Sequence, residues 1–117
     1  MNTKQQYHEV VAECRALFAK KLHDYGASWR ILRPSSLTDQ IMIKALRIRS
    51  LETKAEQRIN EGVDNEYIGI VNYGIIGLIQ LERTPSDKPD LSPEEALELY
   101  DQLIEETYQL MVDKNHD

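Results

Sequence analysis

The chain is 117 residues long, 41% hydrophobic and 29% charged, which is the composition of one soluble globular domain. Its single cysteine, Cys14, excludes an internal disulfide and lies on an apolar stripe, so we expect a buried thiol that is not a nucleophile. No signal peptide is visible, and we expect a cytoplasmic protein. The longest nearly apolar run, residues 67–81, is too short to span a bilayer, so we expect no membrane partner.

The net charge of −6 is unevenly distributed along the chain. Residues 30–58 carry a charge of +4, residues 59–117 carry −11, and residues 1–29 carry +1. An acidic protein is poorly suited to neutralising many phosphates, so we expect no polynucleotide partner. A local basic patch facing acidic helices suits a small phosphorylated ligand, with or without a bridging divalent cation. The alternative is that the basic helix simply packs beside an acidic one.

The first predicted helix runs from about Lys4 to Tyr25, where apolar residues recur at the i, i+3, i+4, i+7 spacing of an amphipathic helix. Gly26 is expected to end it, because glycine adopts a left-handed conformation without a Cβ clash. A loop follows, in which Pro34 disfavours helix at the residue before it. Ser35 or Ser36 then offers a hydroxyl cap for the next helix.

The second predicted helix runs from about Leu37 to Asn60 and has a wide apolar face. One apolar side packs the domain. Ile43 and Leu46 lie on a second side, which indicates contact with another helix or subunit. Gly62 and the pair Asp64–Asn65 are expected to break the chain after this helix.

The third predicted helix, from about Glu66 to Arg83, is apolar almost all round, as expected of the most buried helix. Three glycines in its interior each cost up to about 1 kcal/mol, and we expect close approach of neighbouring helices to compensate. They are Gly69, Gly74 and Gly77. The fourth predicted helix begins at the capping box Ser92-Pro93-Glu94-Glu95 and continues to about Asp113.

Four helices with three short connections predict an all-α, four-helix up-down bundle over residues 1–117 as a single domain. The additional apolar surface of the second helix and the glycines of the third predict a symmetric homo-oligomer. A non-enzymatic helical module for oligomerisation or interaction is therefore one hypothesis for function.

A second hypothesis comes from the density of charged and aromatic side chains in residues 22–49, which a core does not require. Flat rings and cations in one stretch suit an anionic, flat ligand such as a nucleotide. Tyr25 and Trp29 would face the base. Four cations would hold the phosphates: Arg30, Arg33, Lys44 and Arg47. Lys44 and Arg47 are three residues apart and therefore share one helix face.

Carboxylates could supply a divalent-cation site, because bundles build such sites from facing helices and Mg²⁺ prefers oxygen ligands. The candidates are Asp24 at the end of the first helix, Glu52 and Glu56 on the second, and Glu66 on the third. The alternative for the paired glutamates is solvated surface. Asn72, an amide in an apolar helix, is either a hydrogen-bond node of the core or a ligand contact, and Tyr73 follows it.

These segments resemble the nucleotide modification associated domain, type 1, a family of bacteria and phages. The resemblance lies in KKLHDYGASW at residues 20–29, in the Lys44-x-x-Arg47 pair, and in EYIGIVNYGIIGLIQLE at residues 66–82. That domain is in turn thought to be a distant relative of the MazG-like all-α nucleoside triphosphate pyrophosphohydrolases. The resemblance implies a protein that binds a nucleotide or modified nucleotide, with Asn72 and Tyr73 among the contacts.

The pyrophosphohydrolases typically carry a Glu-x-x-Glu pair on one helix and a Glu-x-x-Asp pair on the next, and this chain departs from both patterns. It has glycine in place of the aspartate in Glu66-Tyr67-Ile68-Gly69, and its other glutamate pair is spaced by four residues. One expectation is a rearranged Mg²⁺ site in which Asp24, Glu52 and Glu66 are the catalytic and metal-binding residues of a pyrophosphohydrolase. The other is nucleotide binding without hydrolysis.

Overall fold

The computed structural model describes residues 2–53 and 62–115, and within these ranges the fold is all-α, with no strand. The described elements are α1 (Thr3–Tyr25), a short 3₁₀ helix (Ser28–Ile31), α2 (Pro34–Thr53), α3 (Val63–Arg83) and α4 (Pro93–Asn115). The predicted all-α class and its four α-helices are confirmed. None of the described helices has an apolar stretch long enough to cross a lipid bilayer.

The chain divides into two compact units. The first combines Met1–Ile31 with Ser86–Asp117, and the second is the continuous segment Leu32–Pro85. The first unit therefore contains α1 and α4, and the second contains α2 and α3. The prediction of a single domain over residues 1–117 stays a prediction.

In the first unit α1 and α4 pair in antiparallel orientation. Near the start of α1 the Tyr7 hydroxyl donates a hydrogen bond of 3.1 Å to the Ile104 carbonyl, midway along α4. Further along α1 the Phe18 ring stacks on Tyr100, earlier in α4, with ring centroids 4.4 Å apart. Both rings are buried and form the centre of this unit. An up-down order of helices requires this orientation of the first and last helices.

The helix ends of the first unit follow local sequence signals. Gly26 ends α1 with φ of 65°, and its backbone N–H donates to the Leu22 carbonyl at 2.8 Å. At the start of α4 the Ser92 hydroxyl accepts from the Glu95 backbone N–H at 3.1 Å, and the Glu95 carboxylate accepts from the Ser92 N–H at 3.0 Å. The predicted glycine stop and capping box are both confirmed.

An ion pair between a buried arginine and an exposed aspartate joins the 3₁₀ helix to the segment before α4. The Arg30 side chain is only 4% exposed, and its Nε lies 2.7 Å from Asp90 Oδ1. Its Nη2 lies 3.4 Å from Oδ2, so the pairing uses both carboxylate oxygens. The guanidinium beside it holds the pKa of Asp90 below its ordinary value. This ion pair and a hydrogen bond of 2.9 Å from the Ser86 N–H to the Arg30 carbonyl connect the segment before α4 to the 3₁₀ helix.

In the second unit α2 begins earlier than predicted. It starts at Pro34 and not at Leu37, so the predicted caps Ser35 and Ser36 lie inside its first turn. The Arg33 carbonyl accepts from the Ser36 N–H at 3.0 Å and from the Leu37 N–H at 3.3 Å. The physical reason is that proline is favoured at the first position of a helix, where its missing N–H costs nothing.

The start of α3 also differs from the prediction. It begins at Val63 and not at Glu66, with Gly62 at φ of 84° as its N-terminal cap. The predicted break at Asp64–Asn65 is therefore wrong. These residues form the first turn, where negative charge is favoured by the helix dipole. Residues 54–61, which include the predicted C-terminal turns of the second helix, lie outside the described residues.

The pairing of α2 with α3 is antiparallel as well. The Gln80 amide, near the end of α3, donates a hydrogen bond of 2.7 Å to the Leu32 carbonyl just before α2. Midway along α2, Lys44 pairs with Glu66 near the start of α3. The buried residues of these helices include Leu37, Ile48, Ile75, Ile76 and Ile79.

The three interior glycines of α3 differ in their surroundings. A Cβ at Gly69 would lie 2.5 Å from Lys44 Cε and 3.1 Å from Lys44 Nζ, whereas a Cβ at Gly74 or Gly77 would meet nothing within 4 Å. The close neighbour at Gly69 is therefore a side chain and not the helix backbone that we expected, and among the described residues nothing closely approaches the other two glycines.

Replacing Gly77 with alanine should stabilise the protein by about 0.5–1 kcal/mol, because alanine has the higher helix propensity and open space is available there. The same change at Gly69 brings the same propensity gain but must displace the stem of Lys44, so G69A should be less stable than G77A. Urea unfolding measures both. In a K44A background the two glycine changes should have equal effects, and equal stabilities of the two single variants would contradict this assignment.

The Arg30–Asp90 pair predicts a dependence of stability on pH. Because the folded-state pKa of Asp90 is lowered, its contribution is complete above the unfolded-state pKa of about 4 and is lost as pH falls through the folded-state value. Asp90→Asn should therefore unfold at lower urea concentration than the parent at pH 7. The difference should shrink as pH falls below about 4. A difference that stays constant down to pH 2 would show that the carboxylate charge is not responsible.

Candidate functional site

The second unit brings together three of the charged residues singled out in the sequence. Glu66 Oε1 lies 3.7 Å from Lys44 Nζ and 3.5 Å from Arg47 Nη1. The two cations lie three residues apart on α2, and the carboxylate lies in the first turn of α3. We name Lys44, Arg47 and Glu66 the charged cluster. One carboxylate serves two cations, so the cluster carries a net charge of +1.

The members of the charged cluster differ in exposure. The side chains of Lys44 and Glu66 are 19% and 16% exposed, whereas Arg47 is 62% exposed. A half-buried ion pair is screened less by solvent than a surface pair. The Arg47 guanidinium faces solvent, where it can reach a ligand. The cluster thus has a fixed inner pair and an accessible outer cation.

Two residues of α3 determine where the Lys44 side chain lies. Its stem crosses α3 at Gly69, where a Cβ would collide with it. Its Nζ lies 5.9 Å from the centre of the Tyr73 ring, within the range of a cation–π contact. Lys44 is therefore extended across α3, between an aromatic face and a carboxylate.

Asn72, the amide predicted as either a core node or a ligand contact, is buried with 8% exposure. Within the described residues no buried side-chain nitrogen or oxygen is left without a hydrogen-bond partner. The buried position agrees with a core role, and the role of Asn72 in ligand binding stays a prediction. Arg33 is exposed immediately before α2, and its role also stays a prediction.

The three predicted metal ligands are distributed over both units. Asp24 belongs to the first unit, where its carboxylate lies 3.3 Å from His23 Nδ1. Glu52 is exposed on α2, Glu66 is the carboxylate of the charged cluster, and Glu56 lies outside the described residues. Among residues 2–53 and 62–115, no three His, Cys, Asp or Glu side chains group as metal ligands. The catalytic and metal-binding roles of Asp24, Glu52 and Glu66, and Mg²⁺ itself, stay predictions.

The predicted base-facing rings lie in the first unit and have different surroundings. Tyr25, at the end of α1, is 71% exposed. Trp29, in the 3₁₀ helix, is half-buried, and its ring centroid lies 6.2 Å from that of Phe18. Trp29 therefore contributes to the core of this unit, whereas Tyr25 presents its ring to solvent. Their roles in base binding stay predictions.

Arg30, predicted to hold a phosphate, is buried against Asp90 in the first unit. Its guanidinium pairs with both carboxylate oxygens of Asp90, which is itself 43% exposed. The geometry therefore gives Arg30 a structural contact, and its predicted ligand contact is not part of the charged cluster.

Cys14 is buried in α1, as expected, with 1% exposure. Burial raises the pKa of its thiol, which disfavours the thiolate that nucleophilic chemistry requires. Desolvation also raises the pKa of the neighbouring Tyr100 hydroxyl. The prediction that Cys14 is a small core residue is confirmed.

The sequence did not identify two residues that position charged side chains, Gly69 and Asp90, or the glutamine Gln80 that connects α3 to the start of α2. Gly69 was noted only as the place of an expected aspartate, yet it provides the space for Lys44. Asp90 and Gln80 were assigned no role, yet they hold Arg30 and the Leu32 carbonyl. The partners lie 60 and 48 residues apart along the chain, so no local pattern connects them.

Comparison with known proteins gives one finding. A family model described as Nucleotide modification associated domain 1 matches residues 21–81, just over half of the chain. The matched span contains α2, most of α3 and the charged cluster. No curated protein and no solved structure matches the chain. Because the family model covers more than half of its length, the chain belongs to the nucleotide modification associated domain 1 family.

Proposed function

We propose that the charged cluster binds the phosphate groups of a nucleotide or modified nucleotide. The observation that carries this proposal is the shared carboxylate, because two cations around one Glu66 leave a net charge of +1 on the charged cluster. The cluster lies within the span that matches a family named for nucleotide modification. The proposal uses the second unit alone, and the predicted roles of Tyr25 and Trp29 are not required for it.

The electrostatics of the cluster favour a phosphate over a neutral ligand. Arginine presents a planar set of N–H donors that suits phosphate oxygens, and lysine adds a compact charge. Arg47 is the accessible donor, and Lys44 lies behind it beside Glu66. A phosphate bound at Arg47 would therefore balance the excess positive charge of the cluster. A net protein charge of −6 disfavours a long polynucleotide at this site.

Neighbouring residues of α3 offer contacts for the remainder of a nucleotide. Tyr73 follows Asn72 and already has its ring beside the Lys44 ammonium. An aromatic face can stack on a base, which contributes roughly 1–3 kcal/mol per base in other nucleic-acid-binding proteins. Asn72 could contact a base edge only after local rearrangement, because it is buried. We propose that Tyr73 stacks on the base. A contact between Asn72 and the base edge is our less favoured proposal.

A Mg²⁺-dependent pyrophosphohydrolase activity, and a distant relation to the MazG-like enzymes, remain proposals that rest on the resemblance. In that case Mg²⁺ would polarise the phosphate, and carboxylates among Asp24, Glu52 and Glu66 would hold the ion and the water. A cytoplasmic location, proposed from the sequence, would give access to free nucleotides.

Replacing Arg47 with alanine should weaken nucleotide binding by about 1.5–3 kcal/mol, the usual value of a hydrogen bond to a charged group. That corresponds to roughly a 10- to 150-fold rise in Kd. Isothermal titration with nucleoside mono-, di- and triphosphates measures the change. The fold should survive, because an exposed cation contributes little to stability.

Arg49→Ala is the matched control, since Arg49 is an exposed cation on the same helix and lies outside the charged cluster. It removes the same net charge and should change Kd by less than about threefold. If the Arg47 variant binds every tested nucleotide as the parent does, the phosphate role is wrong. If the parent binds no nucleotide, the alternative function described next becomes the better hypothesis.

The alternative is a non-enzymatic module that associates with a second copy of itself. One face of α3 exposes Tyr67, Val71, Leu78 and Leu81, which repeat at the i, i+4, i+11, i+14 positions of a helix seam. Gly74 lies on the same face, with open space where its Cβ would be. Exposed apolar residues at this spacing favour packing against an identical helix in a closed dimer.

Light scattering should then give a mass of about twice the 13.6 kDa chain. Leu78→Glu on the exposed face should return the chain to a monomer, because a charge would be buried in the seam. The matched control is Leu110→Glu, an exposed leucine on α4, which should leave the mass unchanged. A parent that is monomeric at micromolar concentration would contradict self-association.

A further inference from the structure

We infer that Lys44 and Arg47 occupy the electrostatic role of a divalent cation at Glu66, so that phosphate binding on the α2–α3 pair does not depend on a metal. This inference rests on the proposed function, because it concerns how that same site binds phosphate. It commits to a ligand class, namely free phosphate or polyphosphate anions in place of their Mg²⁺ complexes.

Glu66 already has two cationic partners. Its Oε1 lies 3.7 Å from one cation and 3.5 Å from the other, so its charge is already balanced. A divalent cation bound to the same carboxylate would lie within a few ångströms of both cations. Like charges at that distance repel strongly in a partly buried site. Glu66 is therefore better suited to hold Lys44 and Arg47 than to hold a metal ion.

Position 69 has no side chain, and Lys44 occupies the space beside it. The glycine there lies one turn after Glu66, on the face that meets α2. A Cβ at this position would lie 3.1 Å from Lys44 Nζ, so the ammonium occupies the space in front of residue 69. A carboxylate side chain at 69 would have no room unless Lys44 moved. The Lys44 ammonium can therefore lie at this place only because residue 69 is a glycine.

The charge of a polyphosphate depends on whether Mg²⁺ is bound to it. A polyphosphate free of Mg²⁺ carries more negative charge than its metal complex, and a cluster with a net charge of +1 attracts the more negative form. Lys44 and Arg47 also offer N–H donors, which a metal complex with its phosphate oxygens already coordinated would meet less well. The geometry thus selects the uncomplexed anion.

The experiment compares binding of inorganic pyrophosphate and adenosine triphosphate by isothermal titration, in EDTA and in magnesium chloride. Affinity in EDTA should equal or exceed that in magnesium. Titration of magnesium chloride alone into the protein should give no binding. Binding of the anions only when magnesium is present would overturn the inference while leaving the proposed function standing. The absence of binding in both buffers would also overturn this inference, and the proposed function would then be decided by the titrations of the other nucleotides.

Three variants test the arrangement at position 69. Gly69→Asp places a carboxylate beside the Lys44 ammonium and should weaken binding in EDTA by at least about tenfold. Gly69→Asn has the same shape without the charge and should weaken it less. Gly77→Asp adds the same charge to the same helix in open space and should bind within about threefold of the parent. Thermal unfolding establishes that all three variants fold. A Gly69→Asp variant that binds in EDTA as tightly as the parent would also overturn the inference.

Discussion

The charged contact between α2 and α3 is built on one carboxylate that serves two cations. Glu66 is only 16% exposed, and a carboxylate at that depth needs opposite charge close by. Lys44 supplies it by lying flat across α3, which is possible because residue 69 has no side chain. The orientation of Lys44 and the positive charge of the cluster therefore both require that Gly69 of α3 lies opposite Lys44 of α2.

Much of the fold is encoded in local sequence, and the errors have a local cause as well. The helical periodicity, the glycine stop at Gly26 and the Ser92–Glu95 capping box each involve residues within a few positions of one another. The predicted start of α2 was wrong because proline has two effects on helices. It disfavours helical conformation at the preceding residue, and it is itself favoured at the first position of a helix. At Pro34 both apply, so α2 starts immediately after Arg33.

The candidate site was predictable only where its parts are neighbours in sequence. Lys44 and Arg47 share a face by spacing alone, and the structure places both beside the same carboxylate. The role of Glu66 was not predictable, because nothing local distinguishes a carboxylate that binds metal from one that pairs with lysine. Arg30 illustrates the same limit: its partner Asp90 is 60 residues away, so a dense basic stretch does not reveal which cations are used internally.

The uneven charge of the chain explains how packing and ligand binding can coexist. The acidic segment after residue 59 provides partners for the basic one, as the hypothesis of a basic helix beside an acidic one requires. The number of carboxylates per cation differs, however. Asp90 pairs with Arg30 through both oxygens, whereas Glu66 is shared between Lys44 and Arg47. A one-to-one pair fulfils a structural need and leaves little net charge. A one-to-two cluster stabilises the helix pair and still attracts an anion, so the same contacts serve both purposes on α2 and α3.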